Sequence, residues 1–174
     1  MHVRFLMEHS GSYSQLGRFI VQFQHAEAAL TELLVLMADA DDEAVRILVN
    51  ELEYSQRVKT TDVMFARFID VRRNIDQSTK QEFHRLMVEL LSLGERRNEM
   101  VHSQYWDWKN VEGSLGLLRQ NSGLKASQGR RDVQEEELLP HAFEKDFERL
   151  SQTLHNLESF RLKVIDWLHP DVAA

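Results

Sequence analysis

The chain has 174 residues, of which 28 are acidic and 21 basic, and its net charge is −7. A protein that binds nucleic acid over a broad surface is usually basic, so this balance counts against a large electrostatic footprint of that kind. Cysteine is absent. Disulfides, thiolate metal sites and cysteine nucleophiles are therefore excluded.

The length suits a single domain, and no apolar run reaches the roughly 18 residues that a membrane span needs. The first nine residues contain no apolar stretch of signal-peptide length, because Glu8 interrupts it. We therefore expect a soluble, cytoplasmic protein that has no membrane partner.

Apolar residues recur at the helical period over most of the chain and predict about five helices. Capping residues and proline predict their limits: starts near Ser12 or Ser14, at Asp41 or Asp42, at Ser55 and at Ser78, and an end before Pro170. Between 105 and 139 the helical period disappears and glycines accumulate, which indicates a loop or a β-hairpin. The predicted fold is all-α, a single domain over 1–174 built as an up-and-down bundle with a small insertion at 105–139.

Positive charge is concentrated in the window from Gly94 to Arg131. That window holds seven basic and four acidic residues and has a net charge of +3, so the remainder of the chain carries −10. The acidic total therefore conceals a local basic region at the end of the fourth predicted helix.

One carboxylate lies on the apolar stripe of the first helix. Glu27 follows Phe23 by four residues and precedes Leu30 by three. Burying a carboxylate is costly unless a cation or several donors meet it. Either Glu27 lies at the exposed margin of the stripe, or it pairs with an arginine of the basic window.

The end of the fourth helix brings together an arginine, an amide and an imidazole. Asn98 and His102 are four residues apart and share a helix face. Arg97 precedes His102 by five residues, which places it about 140° away around an ideal helix. Two copies of the segment meeting at a two-fold axis would let Arg97 of one chain face His102 of the other.

This set of side chains suits phosphate chemistry without a metal. Histidine can act as base or acid at neutral pH. The arginine fork fits a phosphate or a pentavalent phosphorane, and an amide can orient a hydroxyl or the imidazole. The chemistry that needs nothing more is cleavage of RNA by its own 2′-hydroxyl.

Two other interpretations remain open. Arginines and a histidine in a last helical turn are also ordinary compensation of the helix dipole. Glu99 and His102 form an E-x-x-H pair like those of di-iron bundles, but such sites need a second such pair and two further carboxylates, and no other histidine has a glutamate three residues before it. No metal and no cofactor are expected.

The segment Arg97–His102, read as R-N-x3-H, resembles the R-x(4–6)-H motif of the HEPN superfamily. Its context is also similar: a long first helix bears an acidic residue on its apolar face, and an aromatic residue follows the motif. The resemblance implies a helical domain that dimerises to form one cleft from two motifs. Active members are metal-independent endoribonucleases of toxin–antitoxin and phage-defence systems, so RNA, a second copy and a cognate antitoxin protein are the implied partners.

Carried over to this chain, the resemblance assigns Arg97 to transition-state stabilisation, Asn98 to positioning and His102 to proton transfer. Substrate-binding or supporting roles fall to Arg96, Glu27 and Tyr105. Gln104 stands where many toxin members have tyrosine, with Tyr105 next. The alternative is a non-catalytic HEPN-like module that binds nucleotides or another protein.

Overall fold

A computed structural model describes residues 10–72 and 75–170. Its elements, in chain order, are α1 Ser10–Ala38, α2 Asp42–Asn50, α3 Tyr54–Asp70, α4 Ser78–Val101, β1 Gln104–Lys109, β2 Leu115–Lys125, β3 Arg130–Leu138 and α5 Glu144–Leu168. Short 3-10 turns precede β3 and α5. None of the described helices combines the length and apolar character that crossing a bilayer requires. Residues 1–9, for which no signal peptide is expected, lie outside the described part.

The expectation of an all-α bundle is wrong, because residues 104–138 form a three-stranded antiparallel sheet in the order β1-β2-β3. β1 pairs with β2 from Gln104↔Gln120 to Lys109↔Leu115, and β2 pairs with β3 from Leu117↔Leu138 to Lys125↔Arg130. The predicted loop or hairpin is therefore a complete small sheet, and the fold is mixed α and β. Cross-strand pairing satisfies the backbone groups that a helix would have satisfied locally.

The helix limits follow local capping chemistry. Asp41 caps α2 as predicted, since its Oδ1 accepts a hydrogen bond from the Ala44 N–H at 2.9 Å. α3 starts one residue earlier than the predicted Ser55. Its N-cap is Glu53, and the Gln56 side chain accepts from the Glu53 N–H at 3.1 Å in a capping box.

The chain divides into two compact units. The first comprises Met1–Gln22 and Glu95–Arg149, and the second comprises Phe23–Gly94 and Leu150–Ala174. The first unit contains the whole sheet and the end of α4. The prediction of one HEPN-like domain over 1–174 stays a prediction.

Each unit has its own apolar core. In the second unit, Phe65 stacks on Phe83 at 3.8 Å between ring centroids, and Phe160 meets both rings edge-on. In the first unit, the ring of Phe19 meets that of Phe147 at 6.2 Å, and Leu117 and Leu138 are fully buried on the sheet. The inner face of the sheet is thus part of a core.

Gly94 permits a close contact between α3 and α4. A Cβ at this position would lie 2.4 Å from Cε1 of Tyr54, whose hydroxyl donates to the Leu90 carbonyl at 2.8 Å. The tyrosine ring therefore occupies the space that any larger residue would need. This explains why a helix interior tolerates a residue that costs about 1 kcal/mol relative to alanine.

We expect Gly94→Ala to lower the free energy of unfolding by about 1–3 kcal/mol, because the Tyr54 ring must shift. Gly17→Ala is the matched control: it is also inside a helix, but its Cβ would meet nothing within 4 Å. That variant should gain about 0.5–1 kcal/mol from helix propensity. Urea denaturation of both variants measures the two changes in free energy of unfolding. Equal changes for Gly94→Ala and Gly17→Ala would contradict the prediction.

Candidate functional site

The predicted motif ends one residue beyond α4, whose last residue is Val101. The His102 N–H donates to the Asn98 carbonyl at 3.0 Å, so one regular turn separates the two residues. Both side chains are exposed. Asn98 and His102 therefore share one exposed face, as the four-residue spacing predicts. Among the described residues, no hydrogen bond or ion pair engages the His102 imidazole.

Arg97 is half-buried and lies against its neighbour in the chain. Its Nη1 donates to Oδ1 of Asn98 at 3.1 Å. This bond uses the carbonyl end of the Asn98 amide and leaves the amide NH₂ group as its donor. The guanidinium and the amide are thus linked by a hydrogen bond.

Arg96 lies in a different environment from Arg97. Its Nη1 and Nη2 bind both carboxylate oxygens of Glu136 on β3 at 2.8 and 2.7 Å. Its Nε donates to Asp146 of α5 at 3.0 Å, and only 17% of its side chain is exposed. The predicted substrate-binding arginine is therefore engaged inside the first unit, where it ties α4 to the sheet and to α5.

A second arginine completes this cluster. Arg119 on β2 is 5% exposed, and its Nε donates to Oε2 of Glu136 at 2.8 Å. Its Nη1 donates to Ser103 Oγ at 3.3 Å and lies 3.6 Å from Glu99. The sheet thus contacts residues within and directly after the motif, so it orients the end of α4.

The charges of the cluster stabilise one another. Burial alone would raise the pKa of Glu136, but the Arg96 and Arg119 guanidinium groups outweigh it and hold the pKa below its ordinary value of 4.5. Burial alone would lower the pKa of Arg96, but Glu136 and Asp146 outweigh it and raise that pKa. Both groups remain charged at neutral pH, so the cluster is a set of true ion pairs.

Tyr105 also has a structural partner. Its hydroxyl donates to the Met100 carbonyl at 2.6 Å, and burial raises the pKa of that hydroxyl. The bond ties β1 to the last turn of α4. Gln104, which stands at the position of the family tyrosine, is exposed.

Glu27 belongs to the second unit and is partly exposed. Its charge helps to raise the pKa of the Tyr54 hydroxyl, after the larger effect of burial. This environment fits the margin of the α1 stripe. Pairing of Glu27 with an arginine of the motif stays a prediction.

Among the described residues, no further candidate metal ligands join Glu99 and His102, the E-x-x-H pair. Within residues 10–72 and 75–170, no three His, Asp or Glu side chains are grouped so that they could hold a metal ion. Glu99 of the E-x-x-H pair lies 3.5 Å from Arg96 and 3.6 Å from Arg119. Two guanidinium groups thus lie where a cation would have to bind.

A groove that no sequence pattern predicts lies between α3 and α4 in the second unit. Its volume is about 520 Å³, and Nδ1 of His84 lies 2.6 Å from Oδ2 of Asp62 at its wall. The remaining lining residues are Val63, Ala66, Lys80, Gln81 and Arg85. None of them is a serine, threonine or cysteine that the imidazole–carboxylate pair could activate.

The comparisons with known proteins identify no relative: no protein-family model, curated protein or solved structure matches the chain. The resemblance to the HEPN superfamily therefore depends on Arg97–His102 and its helical context.

Proposed function

We propose that the protein is a metal-independent endoribonuclease of the HEPN type that acts in the cytoplasm as a homodimer. Arg97, Asn98 and His102 form its site, and its biological role is that of a toxin or phage-defence component. A cognate antitoxin protein is the partner that would restrain it.

The observation that carries the proposal is the contrast between two adjacent arginines. Arg96 is bound to Glu136 and Asp146 inside the first unit, whereas Arg97 contacts Asn98 one turn before the exposed His102. Arg96 thus anchors the end of the helix to the sheet and to α5, and the exposed Asn98 and His102 share one face beside it, an arrangement that supports the proposed site.

The proposed reaction is a transesterification. The 2′-hydroxyl oxygen forms a bond to the adjacent phosphorus, the bond from phosphorus to the 5′-oxygen breaks, and a cyclic phosphate and a 5′-hydroxyl result. His102 takes the proton of the 2′-hydroxyl or protonates the departing oxygen, and water exchanges the other proton. Arg97 stabilises the added charge on the phosphorane, and the Asn98 amide positions it.

Two copies complete the site in this proposal. Arg97 and His102 of one chain point in different directions from one helix, so a phosphate held by one chain's arginine lies away from its own histidine. A two-fold axis through the motif faces would set Arg97 of one chain opposite His102 of the other. Val101 and Trp106 near the motif are each 45% exposed and offer apolar area for such contact.

We expect the protein to cleave labelled RNA in the presence of EDTA and to leave cyclic phosphate ends. RNA of the same sequence with 2′-O-methyl groups should remain intact, because the proposed nucleophile is blocked. Electrophoresis with analysis of the product ends measures both results. Cleavage that needs a divalent cation, or that attacks the 2′-O-methyl strand, would contradict the mechanism.

The second candidate is a non-catalytic HEPN-like module that binds another protein or a nucleotide. The exposed Val101 and Trp106 favour it, since apolar side chains near a polar motif suit a protein interface. If this candidate is correct, RNA remains intact in the EDTA experiment, and the unmodified protein forms a stable complex with another protein or with a nucleotide.

A further inference from the structure

The β2–β3 hairpin extends beyond the rest of the sheet. β1 pairs only with residues 115–120 of β2, whereas β2 and β3 remain paired as far as Lys125↔Arg130. Asn121–Lys125 and Arg130–Gln134 therefore form a two-stranded ribbon, and most of its side chains are exposed. A two-stranded ribbon without packing on either face contributes little stability of its own. A contribution to folding stability therefore does not explain the length of the ribbon.

Strand alternation determines which side of the ribbon faces the motif helix. Arg119 and its partner Glu136 point toward α4, where they contact Arg96 and Glu99. Side chains two residues apart on a strand lie on the same face, so Lys125 and Arg130 project to this side as well. The ribbon thus carries two cations, together with the carboxylate of Asp132, on the side of the sheet that faces the end of α4.

The ribbon tip is basic in an acidic protein. Residues 121–134 contain Lys125, Arg130, Arg131 and Asp132, a net charge of +2, while the whole chain carries −7. Lys125 pairs with Asp132 at 2.9 Å. Neither Arg130 nor Arg131 makes an ion pair with another described residue.

The register places two of these cations directly opposite each other. Lys125 pairs with Arg130 across the strands. Like charges at such a position destabilise a hairpin. Asp132, which pairs with Lys125 and lies on the same face of β3 as Arg130, offsets part of this repulsion, and an anion bound beside Arg130 would offset more of it.

A polar groove adjoins the cations. Its volume is about 320 Å³, and its lining includes Asn121, Gly123, Lys125, Asp132 and Gln134 on the motif side of the ribbon. A Cβ at Gly123 would meet nothing within 4 Å, so packing does not require glycine there. Glycine inside a strand weakens it and often marks the close approach of a ligand. Amide side chains and open backbone suit the sugars and bases of a flexible strand.

We propose that this ribbon is a binding arm for single-stranded RNA, with Lys125 and Arg130 on its phosphates and the groove against its sugars. The proposal rests on the proposed ribonuclease function and extends its substrate site. Gln120 pairs with Gln104, two residues after His102, and Lys125 lies five residues further along β2. At about 3.3 Å per residue, the arm spans about 17 Å. The arm would thus hold the strand a few nucleotides from the cleaved bond.

The test measures binding without cleavage. A fluorescein-labelled single-stranded 2′-O-methyl RNA, which the proposed reaction cannot cut, is titrated with the full-length protein over a series of salt concentrations. Arg130→Gln should weaken binding about fivefold at 0.1 M salt and reduce the salt slope by about 0.7, as expected for one lost phosphate contact to a single strand. Lys59→Gln, on an exposed face of α3, is the matched control and should leave binding unchanged.

A stability measurement separates binding from folding. Arg130→Gln breaks no ion pair with another described residue, so its melting temperature should equal or exceed that of the unmodified protein. Weaker binding together with a lower melting temperature would overturn the proposal as stated. Gly123→Val, which fills the groove without removing charge, should also weaken binding while the salt slope stays the same.

The remaining outcomes separate the arm from the ribonuclease. Cleavage of ordinary RNA, with binding that Arg130→Gln does not change, would overturn the arm alone. Binding that depends on Arg130, with no cleavage of ordinary RNA, would uphold the arm and overturn the ribonuclease. If Arg130→Gln weakens binding of a poly-glutamate peptide but not of RNA, an acidic protein is the occupant and the arm is overturned.

Discussion

His102→Ala is expected to lower the rate of RNA cleavage in EDTA by about 10²–10⁴-fold, the usual contribution of one positioned acid or base. The imidazole is exposed and makes no hydrogen bond within the described chain, so its removal should leave the fold unchanged. Initial rates of cleavage and thermal melting of the same preparations measure the two effects. His25→Ala is the matched control, because His25 is an exposed histidine on α1.

Mixed dimers test whether the site is shared. Arg97→Ala and His102→Ala homodimers should both be inactive. A heterodimer of the two variants retains one intact Arg97–His102 pair of the two that a two-fold axis generates, so it should recover about half of the unmodified activity. Heterodimers are isolated with two different affinity tags. If the heterodimer recovers no activity, the prediction that two chains share the site is contradicted. If the His102→Ala homodimer cleaves RNA at the unmodified rate, His102 is not catalytic.

Arg96→Met is expected to lower the free energy of unfolding by about 3 kcal/mol, because it leaves the buried carboxylate of Asp146 without its cation and removes one of the two that bind Glu136. Asp146 is only 7% exposed and loses its bond from Arg96, while Glu136 retains Arg119. Arg161→Met is the matched control. Arg161 and Glu158 form an equally short pair on the surface of α5, where loss of such a pair costs about 1 kcal/mol or less.

The loss caused by Arg96→Met should depend on pH. The pKa of Glu136 lies below its ordinary value of 4.5, so its ionised form stabilises the folded protein above pH 4.5. That stabilisation disappears as the pH falls through the lowered pKa. The difference in free energy of unfolding between the unmodified protein and Arg96→Met should therefore be largest at neutral pH and smaller in acid. A difference that stays constant between neutral and acidic pH would contradict the ion-pair explanation.

The helices could be predicted well from local signals. The cap at Asp41 matches the prediction, because N-cap chemistry acts within a few residues of the chain. Gly94 lies inside α4, and the ring of Tyr54 occupies the space that a side chain there would need. The identity of the approaching side chain was not predictable, since Tyr54 lies 40 residues earlier.

Burial was harder to predict than helicity. Val63 and Val101 belong to the apolar patterns that predict the third and fourth helices, yet they are 70% and 45% exposed. Arg119 is almost fully buried, although arginine usually lies on the surface. Sequence patterns report which residues share a face, but they do not report what covers that face.

The sequence by itself determined five helical segments, a break between residues 105 and 139, and a helix face that carries Asn98 and His102. These features depend on contacts within a turn or two of the chain. Only the tertiary structure decided that the break is a three-stranded sheet, because β2 meets its partners through pairings such as Gln104↔Gln120 and Asn121↔Gln134 that no local pattern specifies. It also decided that Arg96 points inward, since its partners Glu136 and Asp146 lie 40 and 50 residues away along the chain.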